Sequence, residues 1–208
     1  WLSDWSSDVC SSDLETTYRE FVLTKKVLPS MRSLQFGGKA IEANHARIFN
    51  CSYLPIDSIH SFSETMFLLL SGVGVGYSIQ QTDIEQLPVI IKPNSQRHRR
   101  FIIEDSIMGW ATAIKMLFKS YTGINSSQLD FDFSEIREKG ALLMTAGGRA
   151  PGPGPLKIAL AQIQNILANK TDGSKLTSIE VHDILCFIAN AVLAGGIRRS
   201  AMIAFFDV

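Results

Sequence analysis

The feature that most constrains this chain is an order of segments: a short apolar run, a helix-length amphipathic stretch, then a second short apolar run. Ile48 to Leu54 is β-prone and is broken by Pro55, so it reads as a strand followed by a turn. Asp57 or Ser58 can cap the next stretch, where Ile59, Phe62, Met66, Leu69 and Leu70 recur close to helical spacing. That helix ends at Ser71-Gly72, and Val73 to Ile79 reads as a second strand, rich in glycine.

The alternation continues along the chain. Residues 15–28 read as a short helix leading into a turn at Pro29-Ser30, and residues 80–103, polar and broken by Pro88 and Pro93, read as a loop. Their cluster Arg97-His98-Arg99-Arg100 is the only basic run; it reads as a solvated face or, alternatively, as a nucleic-acid patch. A helix capped by Asp105 is expected from Ser106 to Tyr121, with Trp110, Ile114, Leu117 and Phe118 on one face. Leu129 to Phe133 alternates apolar and acidic residues, which suits a strand with one wet face. A Gly/Pro loop from Gly147 to Pro155 precedes a helix running from Leu156 to about Asn169. Thr177 and Glu180 form a capping box that opens a helix apolar nearly all round, and this ends at Gly195-Gly196. Ile197 to Phe206 reads as a closing strand. Strands separated by helices in this way imply an α/β fold built round parallel strands.

Composition narrows the class without naming a chemistry. With 46% hydrophobic residues the chain is not disordered, and 15 Gly with 7 Pro are too few for low complexity. Twenty basic against 20 acidic residues leave no net charge to attract nucleic acid or an anionic membrane. Three Cys cannot build an even disulfide framework, which favours a reducing, cytoplasmic setting. No apolar run approaches the ~20 residues of a membrane-spanning helix. Both ends read as atypical. Residues 1–14, WLSDWSSDVCSSDL, repeat Ser-Asp, lack an initiator Met and lack the basic start of a signal peptide. They read as a non-native, adapter-derived tail, so Trp1, Trp5 and Cys10 receive no role. The other end stops directly after an apolar strand-like run, so residues 15–208 read as an internal piece of a longer protein.

Few residues carry chemistry on spacing alone. Cys51 lies at a strand end in Phe49-Asn50-Cys51-Ser52-Tyr53, where a redox or nucleophilic thiol and a small buried hydrophobe are both consistent with the pattern. Cys186, inside an apolar helix, reads as core, and no Cys-x-x-Cys pair supports zinc. His45, His60, His98 and His182 are scattered, so no metal site is expected; His182 with Asp183 reads as a polar seam. Gly72-Val73-Gly74-Val75-Gly76 follows a helix instead of preceding one, unlike Walker or dinucleotide fingerprints. It marks close backbone approach, to another element or to a ligand. In the Gly147–Pro155 loop, Arg149 can meet a phosphate or a base and the following helix offers its N-terminus to an anion; a plain connection fits as well. Arg198 and Arg199, adjacent in a strand, point to opposite faces.

Read together, these segments resemble the large catalytic chain of ribonucleotide reductases. The likeness is to the adenosylcobalamin-dependent class, in its monomeric ribonucleoside-triphosphate reductase branch. It rests on Leu28-Pro29-Ser30-Met31-Arg32, on Asn50-Cys51-Ser52-Tyr53 and on Gly72 to Ile79 as GVGVGYSI. It continues through Asp105-Ser106 to Trp110, Asp132 to Pro155, and His182 to Cys186 on to Gly195-Gly196-Ile197-Arg198-Arg199-Ser200-Ala201, in family order.

The resemblance implies the ten-stranded α/β barrel of radical enzymes, with residues 15–208 as its first half and an effector-binding region around 57–155. It further implies that a thiyl radical removes the 3′ hydrogen of a ribonucleotide, the 2′ hydroxyl leaves as water, and a cysteine pair supplies two electrons. Cys51 corresponds to one member of that pair, with its partner beyond Val208. Asn50 and Ser30 correspond to positions near the sugar or phosphates. Gly147, Gly148, Arg149 and Gly152 resemble the loop linking a deoxynucleotide effector to substrate choice, and Asp57 resembles an effector contact. The implied partners are a ribonucleoside triphosphate, a deoxynucleotide effector and a thioredoxin-like reductant, with adenosylcobalamin bound mainly by segments outside this stretch and a monomer when full length. Neither nucleic acid, membrane nor metal belongs to this expectation. One departure matters: the family's Asn-x-Cys-x-Glu finger loop, source of the thiyl radical, does not occur here, so the stretch alone is expected to be inactive. Two alternatives stand beside this: the large chain of a metal-dependent two-subunit reductase, and a nucleotide-binding regulatory module of the same fold.

Overall fold

The computed structural model describes residues 13–123, 126–142, 149–193 and 200–207. It divides into two bodies, Trp1–Ile48 and Phe49–Val208.

In the first body the helix expected over 15–28 is shorter. It closes in a π-helical turn at Tyr18–Val22, and Lys25 takes a left-handed backbone with φ 60° that turns the chain away. Two short helices follow, α1 (Met31–Phe36) and α2 (Lys39–Ala43), then a 3-10 turn at His45–Ile48. Ser30 caps α1, its Oγ accepting the Ser33 backbone N–H at 3.1 Å. The buried Arg47 guanidinium lies 5.5 Å from the Phe36 ring centroid, and burial lowers its pKa.

The second body carries the parallel strands. Its described elements run β1 (Cys51–Pro55), α3 (Ile59–Leu70), β2 (Gly74–Ser78), α4 (Gln81–Ile84), β3 (Asn94–Ile102), α5 (Ile107–Thr122), β4 (Ser127–Asp132), α6 (Gly154–Asn169), α7 (Ser178–Leu193) and β5 (Met202–Phe205). β1, β2 and β5 form one sheet in that order, and β3 and β4 a second; every pairing is parallel. Each parallel return is made through helices, as the alternation of the sequence requires. The core consists of Leu54, Val75 and Tyr77 from the sheet with Phe62, Met66, Phe118, Ile184 and Ile188 from the helices. Phe62 of α3 stacks on Phe118 of α5 with ring centroids 4.1 Å apart. Each such side chain contributes roughly 1.5–3 kcal/mol by leaving water.

Two expectations are corrected. Residues 80–103 are not all loop, since they contain α4 and the nine-residue β3, which carries the basic run. A polar strand gives no apolar alternation to read; here cross-strand polar contacts assist the pairing. His98 Nδ1 lies 3.0 Å from Asp130 Oδ2, and Arg100 Nε donates to Asp132 Oδ2 at 2.8 Å. The Ser134 backbone N–H, then Arg100, hold the Asp132 carboxyl down to about 2. This contribution is therefore full above the ordinary carboxylate range and is lost only as pH falls toward 2. The second correction concerns α5. Ser106, not Asp105, is its cap, with Ser106 Oγ accepting the Gly109 N–H at 2.8 Å, while Asp105 is taken by Arg137. The capping box is present as expected: Thr177 N–H donates to Glu180 Oε2 at 2.8 Å, and Glu180 N–H to Thr177 Oγ1 at 3.3 Å. The Glu180 carboxylate also receives Lys170 Nζ.

Before α6 the chain doubles back on itself. Gly140 N–H donates to Ala150 O, and Ala150 N–H to Ala141 O. Gly152 has φ +74°, and a Cβ there would stand 2.9 Å from the Lys139 backbone nitrogen. Both the dihedral and the close approach demand glycine. Gly152→Ala should cost about 1–3 kcal/mol and lower the melting temperature by roughly 2–4 °C per kcal/mol. A thermal unfolding midpoint equal to that of the parent would contradict this account of the turn.

Candidate functional site

The site is built at the N-terminal edge of the three-stranded sheet. Cys51 is the first residue of β1 and pairs in register with Gly74, the first residue of β2. Gly74 N–H donates to Asn50 O at 2.8 Å, and Val75 N–H donates to Ala201 O at 2.9 Å, which brings the start of β5 alongside. Because all three strands run the same way, their starts gather at one edge. Asn50-Cys51, Gly72 to Gly74 and Ser200-Ala201 are therefore neighbours.

Strand alternation then separates the two faces. Leu54, Val75 and Tyr77 point toward the helices and are buried. Cys51 and Tyr53 share the opposite face with Ile203 and Phe205, and all four are exposed. Beside Cys51 on that face lies Gly74. The nearest neighbours of a Cβ at this position would be Asn50 O at 3.5 Å and Ala201 O and Cβ at 3.6 and 3.7 Å. These are ordinary contact distances, so packing does not force glycine here. Glycine here leaves the position beside Cys51 without a side chain.

Behind the sheet is a group whose members the sequence reading keeps apart, with His182 in a polar seam and Cys186 in the core. Tyr77 Oη lies 2.8 Å from His182 Nδ1, and His182 Nε2 lies 3.6 Å from Cys186 Sγ. Burial, then the nearby Cys186, push the Tyr77 phenol up to about 12; burial, then Asp183, raise the Cys186 thiol. Both therefore stay protonated near neutral pH, and His182 joins them instead of lying in a polar seam. The i, i+4 spacing of His182 and Cys186 on one helix was the available signal.

The remaining expected residues are placed as follows. Ser30 belongs to the first body and uses its hydroxyl to cap α1 and to bond Ser33 Oγ at 2.9 Å. Asp57 braces the start of α3, its Oδ1 accepting from Ser61 Oγ at 3.2 Å. Arg149 Nη1 donates to Gly140 O at 2.9 Å and so helps hold the base of the Gly/Pro loop. Gly152 sits in the tight turn described above. Gly147, Gly148, Arg198 and Arg199 lie outside the described residues. Between β4 and the start of α6 a cavity of about 510 Å³ opens, lined by Arg100, Phe131, Asp132, Phe133, Ser134 and Lys157 among others. The Lys157 ammonium stands 4.9 Å from the Phe133 ring centroid. Among the described residues no His, Cys, Asp and Glu converge in a group that could hold a metal ion, and no helix is long and apolar enough to cross a membrane.

These features define an α/β protein whose parallel sheet is covered by helices on one side and presents a thiol on the other. No family model matches the chain. It is 30% identical over 207 residues to the adenosylcobalamin-dependent ribonucleoside-triphosphate reductase of Euglena gracilis, covering 97% of this chain and 28% of that protein. A putative enzyme of the same name from Mycobacterium phage D29 is 30% identical over 233 residues, covering 92% of this chain and 32% of the relative. The crystal structure of a B12-dependent, class II ribonucleotide reductase superposes with a TM-score of 0.82 at 24% identity, over 97% of this chain and 35% of that one. The chain belongs to the adenosylcobalamin-dependent ribonucleotide reductases and spans about a third or less of the length of these relatives. The expected α/β reductase fold is thereby borne out.

If Gly74 keeps the thiol accessible, Gly74→Val should slow alkylation of Cys51 by iodoacetamide severalfold while leaving the far-ultraviolet circular dichroism unchanged. An unaltered alkylation rate in the folded variant would contradict this.

Proposed function

We propose that the full-length protein reduces ribonucleotides to 2′-deoxyribonucleotides by thiyl-radical chemistry, with Cys51 as one of its two redox cysteines. The observation that carries this reading is the place of Cys51, on the uncovered sheet face beside Gly74, in a chain of this family. The step balances: two thiols become one disulfide, giving two electrons and two protons, while the 2′ hydroxyl leaves as water and a C–H bond replaces the C–O bond. The disulfide is then reopened by exchange with an external dithiol such as a thioredoxin-like protein. Asn50, whose carbonyl binds Gly74 N–H, adjoins the thiol and is assigned to the sugar or phosphates; Ser30 carries the same assignment from the family pattern.

The relatives' names support a ribonucleoside triphosphate as substrate and adenosylcobalamin as radical source. The described residues themselves do not make a corrin site: the Cys51 face offers a thiol, glycines and aromatic rings, and no metal-ligating group converges there. Adenosylcobalamin supplies the initiating radical when bound, and no contact or step on this chain is assigned to it. Residues 15–208 represent the first half of the catalytic barrel, and the region around 57–155 its effector-binding part. Asp57, Arg149 and the glycines 147, 148 and 152 are the effector assignments. The cavity in this region sets two carboxylates, Asp130 and Asp132, against Arg100 and Lys157, and Arg100 is already paired with Asp132, so no nucleotide is assigned to it. A cytoplasmic monomer completes the reading.

Cys51→Ser in the full-length protein should leave radical formation intact, seen by electron paramagnetic resonance, yet abolish turnover with a dithiol donor. Sustained turnover by that variant would remove Cys51 from the chemistry.

A further inference from the structure

The uncovered face of the three-stranded sheet changes character one step along from Cys51. Parallel register sets Cys51, Gly74 and Ala201 in one row. Tyr53, Gly76 and Ile203 form the next row on the same face, about 7 Å farther along the strands. The first row is made of small side chains; the second carries Tyr53 and Ile203 on either side of Gly76, and Phe205, paired with Ser78, stands in the row after it. Tyr53 on β1 and Phe205 on β5 are separated by β2, yet their rings meet edge to face, with centroids 5.7 Å apart and planes at 76°. They span the middle strand because position 76 carries no side chain. A Cβ there would stand 3.4 Å from both Phe205 Cε2 and Ile203 Cγ2.

Tyr53 is 61% exposed and Phe205 46%, while Tyr77 on the other face of the same sheet is 1% exposed. Among the described residues nothing covers these rings, and with the row of small residues that carries a thiol they make a step. The low side is the trough at Cys51 and the riser is the aromatic pair.

We propose that the Tyr53–Phe205 pair is the wall against which a ribonucleotide packs its sugar and base when it lies in the trough at Cys51. This rests on the reading of Cys51 given above. Two arguments select this occupant: the wall is continuous with the proposed reaction site, and an aromatic face suits the C–H edge of a ribose or the plane of a base. Tyr53 acts by holding the substrate and takes no part in electron or proton transfer.

The test uses the full-length enzyme with a ribonucleoside triphosphate. Tyr53→Ala should raise KM about tenfold with a smaller effect on kcat, and should abolish protection of Cys51 from iodoacetamide by substrate. Tyr53→Phe should keep both, because the ring and not the hydroxyl forms the wall. KM within about twofold of the parent, with protection intact, would overturn the proposal. That result, joined to a lowered melting temperature, would mean that other parts of the chain cover the rings. Should Tyr53→Ala fail to fold, Phe205→Leu decides: a severalfold rise in KM supports the wall, and an unchanged KM overturns it. Failure of the Cys51 reading is distinguishable, because it would show as turnover by Cys51→Ser, whereas the wall is read from KM and protection.

Discussion

Parallel pairing of β1, β2 and β5 is the constraint on which the site depends. It fixes Cys51 opposite Gly74, and it sends the starts of all three strands to the same edge. A slip of one residue would turn Cys51 toward the helices and expose Ser52 in its place. Register is held by burial on the helical face, where Leu54, Val75 and Tyr77 pack against the core, so apolar packing on one side determines which chemistry is displayed on the other.

Polar contacts refine this arrangement. The chain Tyr77–His182–Cys186 ties β2 to α7 from behind, with a buried phenol and a half-buried thiol that both stay neutral. Farther from the thiol, the second sheet relies on polar contacts: His98 and Arg100 face Asp130 and Asp132 across the strands. Water and salt screen surface pairs of this kind, so each adds little to stability. The same sheet also joins Phe101 to Phe131, 6.0 Å apart edge to face, which supplies the apolar side of the pairing.

Much of this was legible in the sequence because the elements that build the site are amphipathic. The β1–α3–β2 unit, the glycine-rich strand, the Thr177–Glu180 capping box and the buried face of α7 each carry a periodicity or a local bond that residues three or four apart disclose. β3 was not legible, since a strand wet on both faces has no alternation. The cap of α5 was misassigned by one residue because Asp105 and Ser106 are both good caps, and only the competing Arg137 separates them. At the site, Cys51 stood out, but its neighbours Gly74 and Tyr53 gained meaning only from cross-strand register. Arg149 and Asp57, expected to serve an effector, each hold a local structural bond, which anchors the segments carrying them.

The most direct test of the central claim is disulfide mapping after a single turnover. Prereduced full-length enzyme would be mixed with adenosylcobalamin and a ribonucleoside triphosphate in the absence of dithiol, alkylated, digested and examined by mass spectrometry. The account predicts that the peptide containing Cys51 becomes disulfide-linked in proportion to deoxynucleotide formed. Deoxynucleotide formed while Cys51 remains fully alkylatable would contradict it.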